Sequence, residues 1–115
     1  MSTTPNLGLE LVPSNSLQPW VSINDTLQLL DVLVQLRPQD KDLTAPPTTV
    51  SGDVGKCWLI APSATGAWAG KDGQIALCTA AGVWRYIVPK VGYEGRVLDE
   101  DLRYKYTAAG TWVAA

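Results

Sequence analysis

The sequence predicts a mainly β protein of the α+β class, in which an N-terminal extended arm and one apolar helix precede a small antiparallel β-hairpin domain of barrel-like or sandwich-like form. Two observations carry this prediction. An apolar segment with helical spacing lies in the first third of the chain, and short β-type runs separated by Gly-containing turns fill the part after residue 55. A chain of 115 residues can bury enough surface for one modest core.

Residues 1–22 form the predicted arm. This segment mixes isolated apolar residues with Pro, Ser and Asn, and it shows no sustained periodicity. Leu7, Leu9 and Leu11 alternate strictly, which would allow the arm to add a strand to a neighbouring surface. The alternative is that the arm lies on its own domain, as terminal segments often do.

Residues 23–37 contain the predicted helix, which we expect to run from Asn24 to Leu36. Asn24 and Asp25 are both suitable N-caps, and Pro38 prevents much continuation beyond Leu36. The remaining residues before the β-domain, 38–55, form a polar connector whose three prolines limit its flexibility.

The predicted helix is apolar over most of its circumference. One stripe at helical spacing consists of Ile23, Leu27, Leu30 and Val34. The opposite side is also apolar, with Leu29, Val32, Leu33 and Leu36, and a narrow polar stripe remains at Gln28, Asp31 and Gln35. A small domain has limited surface with which to wrap such a helix, so we expect one side to pack against another copy or another protein. The alternative is a central helix wrapped by its own domain. The predicted oligomer or attachment interface consists of Leu27, Leu30, Leu33 and Val34 with Leu9 and Leu11 of the arm.

The β-domain, residues 56–115, has six β-type runs, at 56–60, 74–79, 83–88, 95–98, 102–107 and 111–113. The hexapeptide Thr-Ala-Ala-Gly-x-Trp occurs at residues 79–84 and again at 107–112. Its Gly supplies the positive φ that tight hairpin connections require, and the Trp two residues later can cover the hairpin.

Several aromatic residues of the β-domain are candidates for a platform that stacks on sugar rings: Trp68, Trp84, Tyr86 and Trp112. The alternative, which we favour for any single Trp, is that these rings form the core of a chain that has no Phe. A carbohydrate-binding module is therefore the second functional hypothesis.

Composition argues against several other classes of function. The chain contains no His, the commonest zinc ligand and a frequent general base, so we expect no enzymatic activity, no metal site and no cofactor. Its net charge of −2 is unsuited to nucleic acid, and no apolar run is long enough to span a membrane. Cys57 and Cys78 are expected to be small core residues rather than a disulfide. The acidic run at residues 99–101 is expected to be a solvated hairpin turn rather than a calcium site.

Four signatures follow one another along the chain. They are Asn24-Asp25-Thr26-Leu27 with Leu30-Asp31-Val32-Leu33-Val34-Gln35-Leu36, then Asp42-Leu43-Thr44-Ala45-Pro46-Pro47, then Ala64-Thr65-Gly66-Ala67-Trp68-Ala69-Gly70, then Gly82-Val83-Trp84 with Pro89. From about residue 7 onward, this order resembles a domain of unknown function of phage and prophage structural proteins and gene-transfer-agent-like particles, often near the N-terminus of fibre or spike proteins.

The resemblance implies a virion structural protein, a fibre, spike or decoration subunit that acts in particle assembly and host attachment, and it brings no catalytic residues. The expected partners are further copies of the chain, as a trimer by analogy with phage fibres, and other virion proteins of the capsid, neck or tail. Host surface polysaccharide is a further candidate partner. We expect the protein to reside in the virion after synthesis in the cytoplasm of the bacterial host.

Overall fold

A computed structural model describes residues 3–11 and 20–115, with helix side chains from Ile23 onward. Residues 1–2 and 12–19 of the predicted arm lie outside the described residues. The described part contains one α-helix and six strands: α1 (Trp20–Leu33), β1 (Cys57–Leu59), β2 (Ile75–Ala80), β3 (Val83–Ile87), β4 (Glu94–Val97), β5 (Leu102–Tyr106) and β6 (Trp112–Ala114). Each strand falls within or overlaps one of the six predicted runs, and the predicted fold class is confirmed. The described helix is not long and apolar enough to cross a membrane.

The helix differs from the prediction at both ends. It begins at Trp20, so Asn24 and Asp25 lie within it instead of capping it, and it ends at Leu33. The early end has a clear cause, because the next residues pair with a strand. The Leu36 carbonyl accepts a hydrogen bond from Arg96 N at 3.0 Å, and the Pro38 carbonyl accepts one from Leu98 N at 2.8 Å.

The strands form two antiparallel sheets of three, with the orders β1-β2-β3 and β4-β5-β6. In the first sheet Trp58 pairs with Ala76, which in turn pairs with Tyr86. In the second sheet Val97 pairs with Leu102 at the turn between β4 and β5. This turn contains the acidic run 99–101, as predicted.

The first part of the connector joins the two sheets. Beyond its bonds to β4, the segment runs parallel to β1, with a bridge between Pro38 and Cys57. The backbone hydrogen bonds along this path join Gln39 N to Cys57 O (2.7 Å), Leu59 N to Asp40 O (3.0 Å) and Ala61 N to Leu43 O (3.1 Å). Residues 36–43, which we call the strap, therefore cover one edge of each sheet and satisfy backbone groups that would otherwise face water.

The first sheet is buried on both faces because side chains alternate along its strands. One face meets α1 and the second sheet in a core made of Val32, Leu36, Cys57, Leu59, Ile75, Leu77 and Val97. The other face carries a separate core made of Trp58, Ile60, Trp68, Ala76 and Cys78, with Trp84 and Tyr86 packed against it. We call these the helix-side core and the tryptophan core.

The two cysteines lie in different cores. Cys57 pairs with Leu77 and faces the helix-side core, whereas Cys78 pairs with Trp84 and faces the tryptophan core. Side chains on opposite faces of a sheet cannot bridge, and both residues are buried free thiols as predicted. Burial raises the pKa of the Cys57 thiol to about 12, so it remains protonated at neutral pH.

The described part of the arm folds back on itself. Thr3 and Glu10 form an antiparallel bridge, Thr4 N donates to the Leu9 carbonyl at 2.8 Å, and Gly8 supplies a positive φ of 71°. Leu7 lies in the turn of this loop, so the alternation of leucines does not mark an extended strand. The alternative prediction, an arm that lies on its own domain, describes residues 3–11 correctly.

Candidate interaction surface

One side of α1 packs on the domain and the other faces solvent. Val32 and Leu36 are buried in the helix-side core, and Leu33 packs against the same core while remaining partly exposed. The opposite stripe is open: Ile23 is 42% exposed, Leu30 45% and Val34 57%, whereas Leu27 is half-buried. We call Ile23, Leu27, Leu30 and Val34 the apolar stripe.

The predicted interface residues thus fall into separate places. Leu27, Leu30 and Val34 share the apolar stripe, whereas Leu33 lies on the core side of the helix. Leu9 and Leu11 are half-buried in the folded-back arm. The spacing of the leucines predicted that the helix has two apolar sides, but only the contacts of the β-domain determine which side remains open.

The arm is attached beside the stripe through a buried carboxylate. Asp31, which belongs to the narrow polar stripe of the predicted helix, is only 2% exposed. Its carboxylate accepts hydrogen bonds from the backbone N–H groups of Asn6 (3.0 Å) and Leu7 (2.6 Å). Bonds from backbone donors to a buried carboxylate are strong, so Asp31 is an anchor for the arm. This role was not predicted from the sequence, where the only local signal is an acid flanked by apolar residues in the second half of the helix.

The side chain of Asn6 extends the attachment. Its amide donates to the Gly55 carbonyl at 2.9 Å, and its Oδ1 accepts from Arg37 Nη2 at 3.1 Å. Pro5 lies so close to Gly55 that a Cβ at this glycine would overlap Pro5 Cγ. The arm therefore contacts the helix and the start of β1 together, and the apolar stripe remains exposed beside it.

Three of the four candidate sugar-stacking residues belong to the tryptophan core. Trp68 is fully buried, and its ring meets that of Trp84 edge to face with centroids 5.3 Å apart. The Tyr86 hydroxyl donates to the Ala67 carbonyl, and Lys71 Nζ lies 4.5 Å from the centre of the Tyr86 ring. These contacts engage all three rings within the protein.

Trp112 lies apart from the other three. It packs against the helix-side core, its ring lies 5.2 Å from that of Tyr106, and its Nε1–H donates to the Gly73 carbonyl at 2.8 Å. The four aromatic residues therefore do not form one continuous platform, because the first sheet separates Trp112 from the tryptophan core.

A cleft of about 220 Å³ lies beside Trp112. The charged groups that line it already have partners within the protein. Lys41 Nζ contacts Asp42 at 3.0 Å and Glu100 at 3.3 Å. The Asp72 carboxylate accepts hydrogen bonds from the backbone N–H groups of residues 63 and 64. These bonds stabilise the loops around the cleft.

The acidic run of the β4–β5 turn is divided among different neighbours. Asp99 lies near Asp40 and Asp42, with carboxylate oxygens within 4.8 Å of one another, whereas Glu100 accepts a bond from Tyr104 and Asp101 pairs with Arg96. Desolvation, and then the charges of the neighbouring acids, raise the pKa of the Asp99 carboxyl. The contacts of Glu100 with Tyr104 and of Asp101 with Arg96 are those of a structural turn that lies next to the end of the strap.

Comparison with curated proteins finds no match. A family model described as "Protein of unknown function (DUF2793)" matches residues 23–113, which include most of α1, the strap, strands β1 to β5 and most of β6. Because the match covers most of the chain, the protein belongs to the DUF2793 family of proteins of unknown function.

Proposed function

We propose that this domain is a structural subunit of a phage-like particle, a fibre, spike or decoration component whose α1 associates with the same helix in other copies. The observation that carries the proposal is the apolar stripe, a row of aliphatic side chains that remains open after the domain has folded. The assignment to a particle is supported by the resemblance of the sequence signatures to phage structural modules.

The spacing of the stripe suits packing between helices. Ile23, Leu27 and Leu30 of α1 are separated by four and three residues, which is the spacing of alternating a and d positions in a helical bundle, and Val34 continues this row directly after the helix. A helix of 14 residues is too short to form a stable coiled coil alone. The β-domain would supply the missing stability by fixing α1 through the helix-side core, so that copies meet with preformed helices.

The free energy that each copy would gain by burying the apolar stripe is moderate. Complete burial of an aliphatic side chain stabilises by about 1.5–3 kcal/mol, so each half-exposed residue of the stripe would contribute about 1 kcal/mol. A stable interface buries roughly 800 Å² on each partner, which requires polar contacts around the stripe as well. We therefore expect association that depends on protein concentration, with a trimer as the expected state.

The geometry supports glycan recognition less well. Trp68 is fully buried, Trp84 contacts two other indoles, and Tyr86 is covered by Lys71. A sugar platform requires open ring faces, whereas association through α1 uses side chains that are already exposed.

The test is the molar mass of the chain in solution, measured by size-exclusion chromatography with light scattering over a range of concentrations. We expect the wild-type chain to approach three times the monomer mass at high concentration, and Leu30→Asp to remain monomeric with an unchanged circular dichroism spectrum. Val91→Asp is the matched control, because Val91 is 67% exposed in the turn before β4, and this variant should associate like the wild type. A monomeric wild-type chain, or equal association of Leu30→Asp, would overturn the proposal.

A further inference from the structure

A groove of about 350 Å³ lies at the C-terminal end of α1 and beside β4, with unusual charge for this chain. Three of the four arginines of the sequence line it, namely Arg37, Arg96 and Arg103, with Glu94 as the single acidic side chain. The chain as a whole has a net charge of −2, so this groove concentrates positive charge on an otherwise acidic molecule.

Two of these arginines oppose each other directly. Arg96 on β4 and Arg103 on β5 are Cα partners in the antiparallel pair. Like charges at directly opposite positions destabilise a sheet, whereas the neighbouring pair, Glu94 opposite Lys105, has complementary charges. The second sheet therefore accepts an unfavourable pair where a complementary one would be more stable.

The local acids neutralise this pair only in part. Asp101 contacts Arg96 Nη1 at 3.1 Å, and Glu94 contacts Arg103 Nε at 3.5 Å. All four side chains are more than half exposed, and ion pairs of this kind contribute little in water. Each contact uses one nitrogen of a guanidinium group that carries five N–H donors, so both groups can still bind an anion.

The walls of the groove are aliphatic. Val34, Leu36 and Leu98 line it, and no aromatic ring does so among the described residues. Leu36 occupies the space above Gly95, where a Cβ would lie 2.7 Å from Leu36 Cγ. The backbone N–H groups of Arg96 in β4 and of Leu98 just after it are already bonded to the strap. A ligand must therefore be recognised by side chains, in a groove that is already formed.

We propose that this groove binds an acidic segment of a partner protein, in which a carboxylate bridges Arg96 and Arg103 and neighbouring aliphatic side chains contact Leu36 and Leu98. Guanidinium groups donate charge-assisted hydrogen bonds to carboxylate oxygens, so one carboxylate can accept a bond from each arginine through its two oxygens. Aliphatic walls without rings suit a peptide better than a sugar. Val34 belongs to both the groove and the apolar stripe, so the partner would bind beside the proposed self-association surface.

The test is an NMR titration in which binding is monitored through the amide resonances of the ¹⁵N-labelled chain. The probes are the peptide acetyl-Leu-Glu-Asp-Leu-Glu-amide, its Gln/Asn analogue and trigalacturonic acid. We expect saturable binding of the acidic peptide with shifts at β4 and β5, weaker binding at high salt, and no saturation with the uncharged analogue. Arg96→Gln/Arg103→Gln should weaken binding by about ten-fold or more, equivalent to about 1.4 kcal/mol. Lys56→Gln/Lys90→Gln removes the same charge elsewhere and should bind within about two-fold of wild type.

A second measurement separates binding from a structural role. Without peptide, Arg103→Gln should melt at the same temperature as wild type or higher, because it removes the repulsion with Arg96. The titration is repeated on Leu30→Asp, where binding should persist even if self-association is lost or never occurs. The proposal is wrong if no probe saturates, if the uncharged analogue binds as well as the acidic peptide, or if trigalacturonic acid alone binds. It is also wrong if the lysine control weakens binding as much as the arginine variant, or if Arg103→Gln melts at a lower temperature than wild type.

Discussion

The two Thr-Ala-Ala-Gly-x-Trp hairpins place their Trp at equivalent positions, but in two different cores. In the first hairpin Cys78 pairs with Trp84, and in the second Tyr106 pairs with Trp112, so the residue before each Thr lies opposite each Trp. The glycines have similar φ angles, 72° at Gly82 and 82° at Gly110.

The surroundings of the two Trp residues differ. Trp84 packs between Trp58 and Trp68, whereas Trp112 packs on Tyr106 and donates its indole N–H to Gly73. The six-residue motif thus specifies the register of a hairpin, and long-range contacts determine what its Trp does. Variants in the two hairpins can test this division, because changes to the turn should have equal effects and changes to the Trp contacts should not.

The largest effect is expected from Trp68→Ala, which affects only the first hairpin. Removing a fully buried indole should cost about 3–5 kcal/mol of unfolding free energy, because the space beside Trp84 cannot close completely. Urea denaturation measures the loss. The chemical shift of the indole N–H should change for Trp84 and not for Trp112. A change for Trp112 as large as that for Trp84 would contradict the separation of the two cores.

Trp68→Phe is the matched control. The indole Nε1 of Trp68 has no acceptor among the described residues, and a buried unpaired donor costs about 1–3 kcal/mol. Phe removes this donor while it keeps most of the ring, so the loss should be well below that of Ala.

An intermediate effect of equal size is expected from Gly82→Ala and Gly110→Ala. A residue with a Cβ pays about 1–2 kcal/mol in the left-handed conformation that both glycines adopt. Space is not limiting, because a Cβ at Gly82 would meet no atom within 4 Å and one at Gly110 would lie 3.6 Å from the Tyr106 hydroxyl. Thermal unfolding of both variants checks this, and a difference above about 1 kcal/mol would mean that the turns are not equivalent.

Local patterns predicted most of the fold. Alternating apolar residues and Gly turns gave all six strands, because hairpin register depends on residues close in sequence. The helix was predicted four residues late at its start, since capping residues such as Asn24 contribute about 1 kcal/mol and packing of the helix can outweigh this.

The features that were missed all join distant parts of the chain. Asp31 binds the arm 24 and 25 residues away, and the strap bonds to β4 through Leu36 and Pro38. No periodic pattern encodes such contacts. The same limit applies to the helix: its spacing predicted two apolar sides, but it could not show that Leu30 and Val34 are exposed or that Leu33 lies on the core side of α1.

The smallest effect is expected where the two hairpins differ slightly. The Thr107 hydroxyl lies 3.0 Å from the Thr111 carbonyl and 3.2 Å from the Thr111 hydroxyl, whereas the Thr79 hydroxyl lies 3.5 Å from the Val83 carbonyl. Thr→Val keeps the branched shape and removes the hydroxyl, so Thr107→Val should cost about 0.5–1 kcal/mol and Thr79→Val less. Melting temperatures under identical conditions measure both. If Thr79→Val proved the more destabilising variant, the hydroxyl contacts would not explain the difference between the hairpins. The bulge between Cys78 and Ala80 would then be the stronger explanation, because only the first hairpin carries a register shift at its Thr.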